Sequence, residues 1–391
     1  MKKYLILVIV GMVATMLGSA MKIPRQPVWY GQYLSLLFVM FISIPFALWS
    51  FNKWLAIFIG YCAFSTFFVT SLNPRAIVLL WQLSLGALAS YGISRFKPKY
   101  RMAILVTIVG LVIIQSFWMG LQFFGKDPIF HSIKNIRFDN MVGFSGSPDQ
   151  MGTFFAMTFP VVLYVFPPLY VLSALGLYFS RSSFALVSAV ASMVLYFFLT
   201  NKKIFRILVV VSIVAFFIFV FEIDKISLAD FGTRFAAWNY AVKSTIAGRA
   251  LIQYPNGRQF LLSCNPIFGY GLGNFNSIFP YIPQQVGIYL GKVGYNFNYI
   301  DEKFTHAHND YIEIFFEMGY AGLVIMFGLI GGFFYNFYKS KKSKELVLYF
   351  SCILAYLLNS MGNFLSNIAV SGMLLVVFYG LYEATRKELN G

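Results

Sequence analysis

Long apolar runs separated by short polar stretches dominate the chain, and a helix needs about 20 apolar residues to cross a hydrocarbon core of about 30 Å. The runs predict spans at Tyr4–Ala20, Gly31–Trp49, Trp54–Leu72, Ala76–Ser94, Met102–Phe124, Gly152–Phe166, Pro168–Phe179, Ser182–Leu199, Ile204–Phe221, Met318–Phe337, Leu346–Leu365 and Asn367–Tyr382. That is about twelve, of which Gly152–Phe166 and Pro168–Phe179 are short and carry Pro160, Pro167 and Pro168. Proline removes a donor and bends a helix, so this part reads as two thin spans or a re-entrant hairpin. One stretch breaks the pattern. Glu222–Glu317 is too long for a plain connector and carries Phe235, Trp238, Tyr240, Phe268 and Phe275, so it predicts a small helical cap. The fold class is an all-α polytopic membrane protein: spans over 1–221, a large outer loop over 222–317, and closing spans with a short tail over 318–391.

Composition agrees and excludes a soluble domain. The chain is 59% hydrophobic and 11% charged, with a mean hydropathy of +0.71, where soluble domains have roughly a quarter of their residues charged. Charge then sets the orientation, because Lys and Arg accumulate in short cytoplasmic loops. With Met1 inside, the inner segments hold Lys2, Lys3, Lys53, Arg95, Lys97, Lys99, Arg101, Lys202, Lys203, Arg206, Lys339, Lys341, Lys342, Lys344, Arg386 and Lys387. The short outer loops hold fewer: Lys22, Arg25, Arg75, Lys126, Lys134, Arg137 and Arg181. Both termini belong in the cytoplasm, and the large loop lies outside. A cleaved signal peptide ending near Gly18-Ser19-Ala20 is the alternative for the first run. The net charge of +16 follows from this topology and from anionic lipid, so nucleic acid is not a partner. Cys62, Cys264 and Cys352 offer neither a disulfide framework nor a thiolate metal site.

The candidate chemistry lies on the outer side. Thr233–Ile246 has apolar residues at Phe235, Trp238, Val242 and Ile246, close to helical spacing. Arg234 stands near its start, where a cation gains nothing from the helix dipole. In NPIFGYGLGNF, Gly269, Gly271 and Gly273 permit tight turns and close backbone approach, and no βαβ context supports a dinucleotide fingerprint. Arg137, Arg181, Arg234, Arg249 and Arg258 gather here, and guanidinium groups grip phosphate bidentately. Arg181 opens a span between Ser180 and Ser182, where an unpaired charge is costly. His306 and His308 stand two apart, which brings both to one metal only on an extended backbone; Asp301, Glu302 and Asp310 would have to complete that set. Asp310 and Glu313 have the spacing of an N-cap and its partner, which puts His308 at the mouth of a helix. An imidazole there suits a general base; a structural, hydrogen-bonded His308 is the alternative. Gly143-Phe144-Ser145-Gly146 has the G-x-S-G form of rhomboid-type proteases, but the spans are too many and Ser145 falls in an outer loop.

Taken in order, these features resemble the O-antigen ligase and O-antigen polymerase superfamily of membrane glycosyltransferases. The likeness covers about 137–322: GFSGSPDQMG before a span, Ser180-Arg181 opening a later one, Arg234 with Trp238, Pro266 to Gly271, and HAHN followed by Gly319 and Gly322. Asp149 stands where the family usually has Asn, and AGRALIQYPNGRQ lengthens the interval from Arg234 to Pro266. The resemblance implies an all-helical enzyme without metal or cofactor, with a periplasmic cap, in the bacterial inner membrane. It implies a glycan donor on undecaprenyl pyrophosphate, and as acceptor lipid A core (ligase) or a second lipid-linked glycan (polymerase), for which the ten residues between Arg258 and Gly269 speak. His308, Arg234 and Arg181 are the implied catalytic residues. His306, Asn309, Arg137, Arg249 and Arg258 are implied to bind substrate. A lipid-linked glycan transporter or flippase, needing arginines but no base, is the rival of another class.

Overall fold

The computed structural model describes residues 44–45, 48–69, 74–126, 143, 148–180, 182–203, 205, 238–239, 241–253, 259–278, 307–363 and 369–390. In chain order the helices are α1 (Lys53–Phe64, continued by a π-helical turn over Ser65–Val69), α2 (Pro74–Ile93), α3 (Pro98–Phe123), α4 (Pro148–Val165), α5 (Tyr170–Ser180) and α6 (Ser183–Thr200). A two-stranded ribbon follows, β1 (Arg249–Gln253) and β2 (Gln259–Ser263), then α7 (Phe275–Ile278), α8 (Asp310–Lys339), α9 (Lys344–Asn359) and α10 (Ala369–Asn390). Among the described residues, α2, α3, α6 and α8 are long and apolar enough to cross a membrane, and each coincides with an expected span. Those expected at Tyr4–Ala20, Gly31–Trp49 and Ile204–Phe221 lie wholly or largely outside the described residues.

Local chemistry explains several boundaries. The Asn52 side chain accepts from the Leu55 N–H at 3.0 Å and starts α1; Ser343 does the same for α9 through Leu346 at 3.1 Å. Pro98 opens α3, a position where its missing donor costs nothing. The prolines at 167 and 168 form a single 3-10 turn between α4 and α5. With 11 residues, α5 is only about 16 Å long, so Gly152–Phe179 is a helical hairpin whose second arm is too short to cross alone.

The chain forms two compact units. One comprises 1–25, 89–220 and 339–391. Within it α4 packs against α3, α5, α6 and α9, and α9 in turn against α6 and α10, around the fully buried Phe154, Phe155, Tyr349, Phe378 and Tyr382. Arg101 is buried at one end, paired with Glu345 at 3.2 Å and Glu388 at 2.7 Å. The other unit comprises 26–88 and 221–338 and holds α1, the ribbon, the glycine-rich turn and nearly all of α8.

The ribbon corrects the all-helical expectation for the outer loop. Residues 238–239 and 241–247 are helical, within the predicted Thr233–Ile246. The inserted segment beyond them is not: β1 and β2 pair antiparallel, Arg249 with Ser263 and Gln253 with Gln259. Pro255-Asn256-Gly257 between two apolar runs is a hairpin signal, and it outweighs the aromatic content that suggests a helix.

Candidate active site

His308 lies immediately ahead of α8 and is the one non-glycine residue of positive φ among those described, at 50°. A side chain in this left-handed region costs about 1–3 kcal/mol and persists only where neighbours hold it. They do. The Ala307 N–H donates to Glu313 Oε2 at 3.3 Å, and the Ala307 carbonyl accepts from the Trp238 indole N–H. On the other side Asn309 is fixed, its Oδ1 accepting from the Ile312 N–H at 3.1 Å and its carbonyl from the Glu313 N–H at 3.0 Å. The imidazole is half-buried. The expected cap is thereby displaced by one residue: Asn309 caps α8, Asp310 is its first residue, and Glu313 reaches back past the cap to Ala307. Two cap-type residues stand side by side here, and the one whose oxygen meets the third helical N–H takes the role.

Gly319, the tenth residue of α8, breaks the helix. Gly319 has φ 62° and ψ −160°, which opens backbone groups on both sides, and the turn Pro266–Gly271 fills the gap. Tyr270 and Gly271 donate to the carbonyls of Phe316 and Glu317 at 3.0 and 2.6 Å, while Tyr320 and Ala321 donate to those of Pro266 and Ile267, both at 3.0 Å. The Tyr61 hydroxyl donates to the Met318 carbonyl at 2.8 Å. A Cβ on Gly319 would come within 2.4 Å of the Pro266 carbonyl oxygen, and one on Gly269 within 2.6 Å of the Gly319 nitrogen. The glycine spacing of both motifs is therefore a single requirement, backbone against backbone. The Tyr270 ring stacks on Phe316 at 4.5 Å.

Glu317, which sequence reasoning treated only as the end of the loop, holds this junction. It is buried and its Oε1 accepts from the Phe275 N–H at 2.9 Å. Ser65 Oγ accepts from Leu272 at 3.0 Å on the same turn. The signal for Glu317 was a carboxylate next to the glycine that breaks a span. Burial pushes the lone Cys264 thiol, just before the turn, above its ordinary pKa.

In the other unit two further motif segments meet. A Cβ on Gly152 would lie 2.7 Å from Ser180 Oγ and 3.0 Å from the Ser182 Cβ, so the start of α4 is pressed against the residues flanking Arg181. Asn359 Nδ2 donates to Thr153 Oγ1 at 2.6 Å, and Asn363 Nδ2 to Asn359 Oδ1 at 2.8 Å. Arg249 opens β1 with an exposed side chain. Arg137, Arg181, Arg234, Arg258 and His306 lie outside the described residues, as do Asp301 and Glu302.

Comparison with known proteins supports the ordered motifs. Residues 168–327 match the family model described as O-antigen ligase. This segment begins in the turn before α5 and ends inside α8, so it takes in Ser180, Trp238, the glycine-rich turn, His308 and the Gly319 break. No curated protein matches the chain.

Proposed function

The chain stands in the O-antigen ligase and O-antigen polymerase superfamily through residues 168–327, and from that premise we propose that it transfers a glycan from undecaprenyl pyrophosphate to an acceptor hydroxyl at the periplasmic face. His308 is the general base. It takes the proton of the acceptor hydroxyl, the oxygen attacks the anomeric carbon, and the bond to the pyrophosphate breaks with its electron pair on the leaving group. A single displacement of this kind inverts the anomeric centre. A pyrophosphate leaves readily once its charge is neutralised, a task for fixed cations rather than an acid, and Arg181 and Arg234 take it. Arg137, Arg249, Arg258, His306 and Asn309 are the further contacts to the two glycans. The acceptor is lipid A core in a ligase and a second lipid-linked glycan in a polymerase.

The observation that supports this reading best is the left-handed backbone of His308, since strain of that kind clusters at functional sites. A purely structural histidine is more cheaply held in an ordinary conformation. The test is His308→Ala, purified and placed in liposomes with a synthetic undecaprenyl-pyrophosphate-linked glycan and lipid A core. Transfer falls by about a hundredfold or more, the range of general-base contributions, while the thermal melt stays near that of the parent. Transfer within a few-fold of the parent rejects the base role.

A further inference from the structure

Ala307, the residue ahead of His308, is held through both of its backbone groups by side chains from different places in the sequence. Trp238, sixty-nine positions earlier, donates its indole N–H to the Ala307 carbonyl. Glu313, six positions later and 5% exposed, accepts the Ala307 N–H. The Ala307 carbonyl belongs to the peptide plane that leads into His308 and the Ala307 N–H to the plane before it, and turning the first of these planes is what carries His308 between the left-handed and right-handed regions. With the plane into His308 tied by Trp238 and the plane before it by Glu313, the chain enters His308 in one orientation, which holds φ at 50° and with it the direction in which the imidazole leaves the backbone. Asn309, as the cap of α8, anchors the chain that follows.

We propose that Trp238 and Glu313 are positioning residues for His308, forming a two-point clamp on the backbone of Ala307 that aims the imidazole at the acceptor hydroxyl. Neither touches substrate in this role. The clamp explains why a tryptophan is called for at the start of the described part of the loop helix, where an apolar ring alone would satisfy packing: the indole N–H is the working part. It also gives Glu313 a reason to be an acceptor although it is not the partner of a capping residue. A loosened clamp lets the peptide relax toward the ordinary conformation, which swings the base away by more than the small tolerance that proton transfer allows.

This inference rests on His308 being the base, and the experiment separates the two. Trp238→Phe keeps the ring and loses the donor, Glu313→Ala loses the acceptor, and Glu313→Gln keeps an acceptor oxygen. With the synthetic lipid-linked glycan and lipid A core as substrates, Trp238→Phe and Glu313→Ala each lower kcat by about tenfold, the value of one hydrogen bond, with KM for the donor little changed. Glu313→Gln restores most of the loss, and neither substitution lowers the residual rate further on a His308→Ala background, as expected of groups acting as a unit. A second readout needs no turnover. Carbethoxylation of His308 by diethyl pyrocarbonate, followed by peptide mass spectrometry, accelerates severalfold in Trp238→Phe and Glu313→Ala and returns to the parent rate in Glu313→Gln. If His308→Ala remains active but the modification rates shift as stated, the base reading fails and the clamp survives as geometry. If His308→Ala is inactive while both kcat and modification rate are untouched in the clamp variants, the clamp is overturned.

Discussion

Two apolar helices lose backbone hydrogen bonding, and they handle it differently. In α4 the buried Pro160 removes one donor and the helix continues to Val165. In α8 Gly319 leaves the helical region altogether, opening three carbonyls and two N–H groups, all of which find partners in the Pro266–Gly271 turn or on Tyr61. The proline leaves one carbonyl, that of Ala156, without its helical donor. A broken helix in apolar surroundings must import every missing partner, so the break becomes a junction that ties a loop to a span, eleven residues beyond the candidate base.

This contrast can be broken or sharpened by measuring the thermal melt of purified variants in one detergent. The largest effect is expected from Gly319→Ala, whose Cβ meets two carbonyl oxygens at 2.4 and 2.5 Å; it forces the turn off the helix and costs about 3 kcal/mol or more. A loss below about 1 kcal/mol would show the junction to be loose and remove the distinction. Next comes Glu317→Ala, which strands the buried Phe275 N–H at a cost of about 1–3 kcal/mol. Glu317→Gln retains an acceptor and loses less than half as much, and equal losses would mean that charge rather than hydrogen bonding matters there. The smallest effect belongs to Pro160→Ala, within about 1 kcal/mol in either direction. A drop matching that of Gly319→Ala would sink the comparison.

The proline was legible in the sequence and the glycine junction was not, for a physical reason. Pro160 acts on its own helix, and its effect follows from its covalent structure. Gly319 acts on Gly269, fifty residues away in sequence, and no local pattern tells that the two backbones meet. Hydropathy predicted α2, α3, α6 and α8 because a span is selected by lipid, a partner uniform along its length. The paired prolines at 167 and 168 similarly announced the turn before α5. The ribbon had a written signal in Pro255-Asn256-Gly257, overlooked because aromatic residues suit either a helix or a strand. The conformation at His308 was not legible: the spacing of Asp310 and Glu313 matched a capping pair, while the chain used Asn309 as cap and turned Glu313 to Ala307. Such choices between neighbouring side chains depend on distances of a few tenths of an ångström, which spacing does not encode.

The ribbon over Arg249–Ser263 has a further consequence. Its two ends are drawn together, Arg249 opposite Ser263 and the Cys264 N–H donating to the Gly248 carbonyl at 2.8 Å. The chain thus leaves the loop helix and returns to the glycine-rich turn through a single narrow doorway. A change of length beyond the doorway, outside Arg249 and Arg258, is absorbed there and does not move Trp238 on one side or Pro266 on the other. A protein engineer can use this segment, with Arg249 and Arg258 kept, as the place to graft an epitope or a rigid fiducial for imaging a small membrane protein.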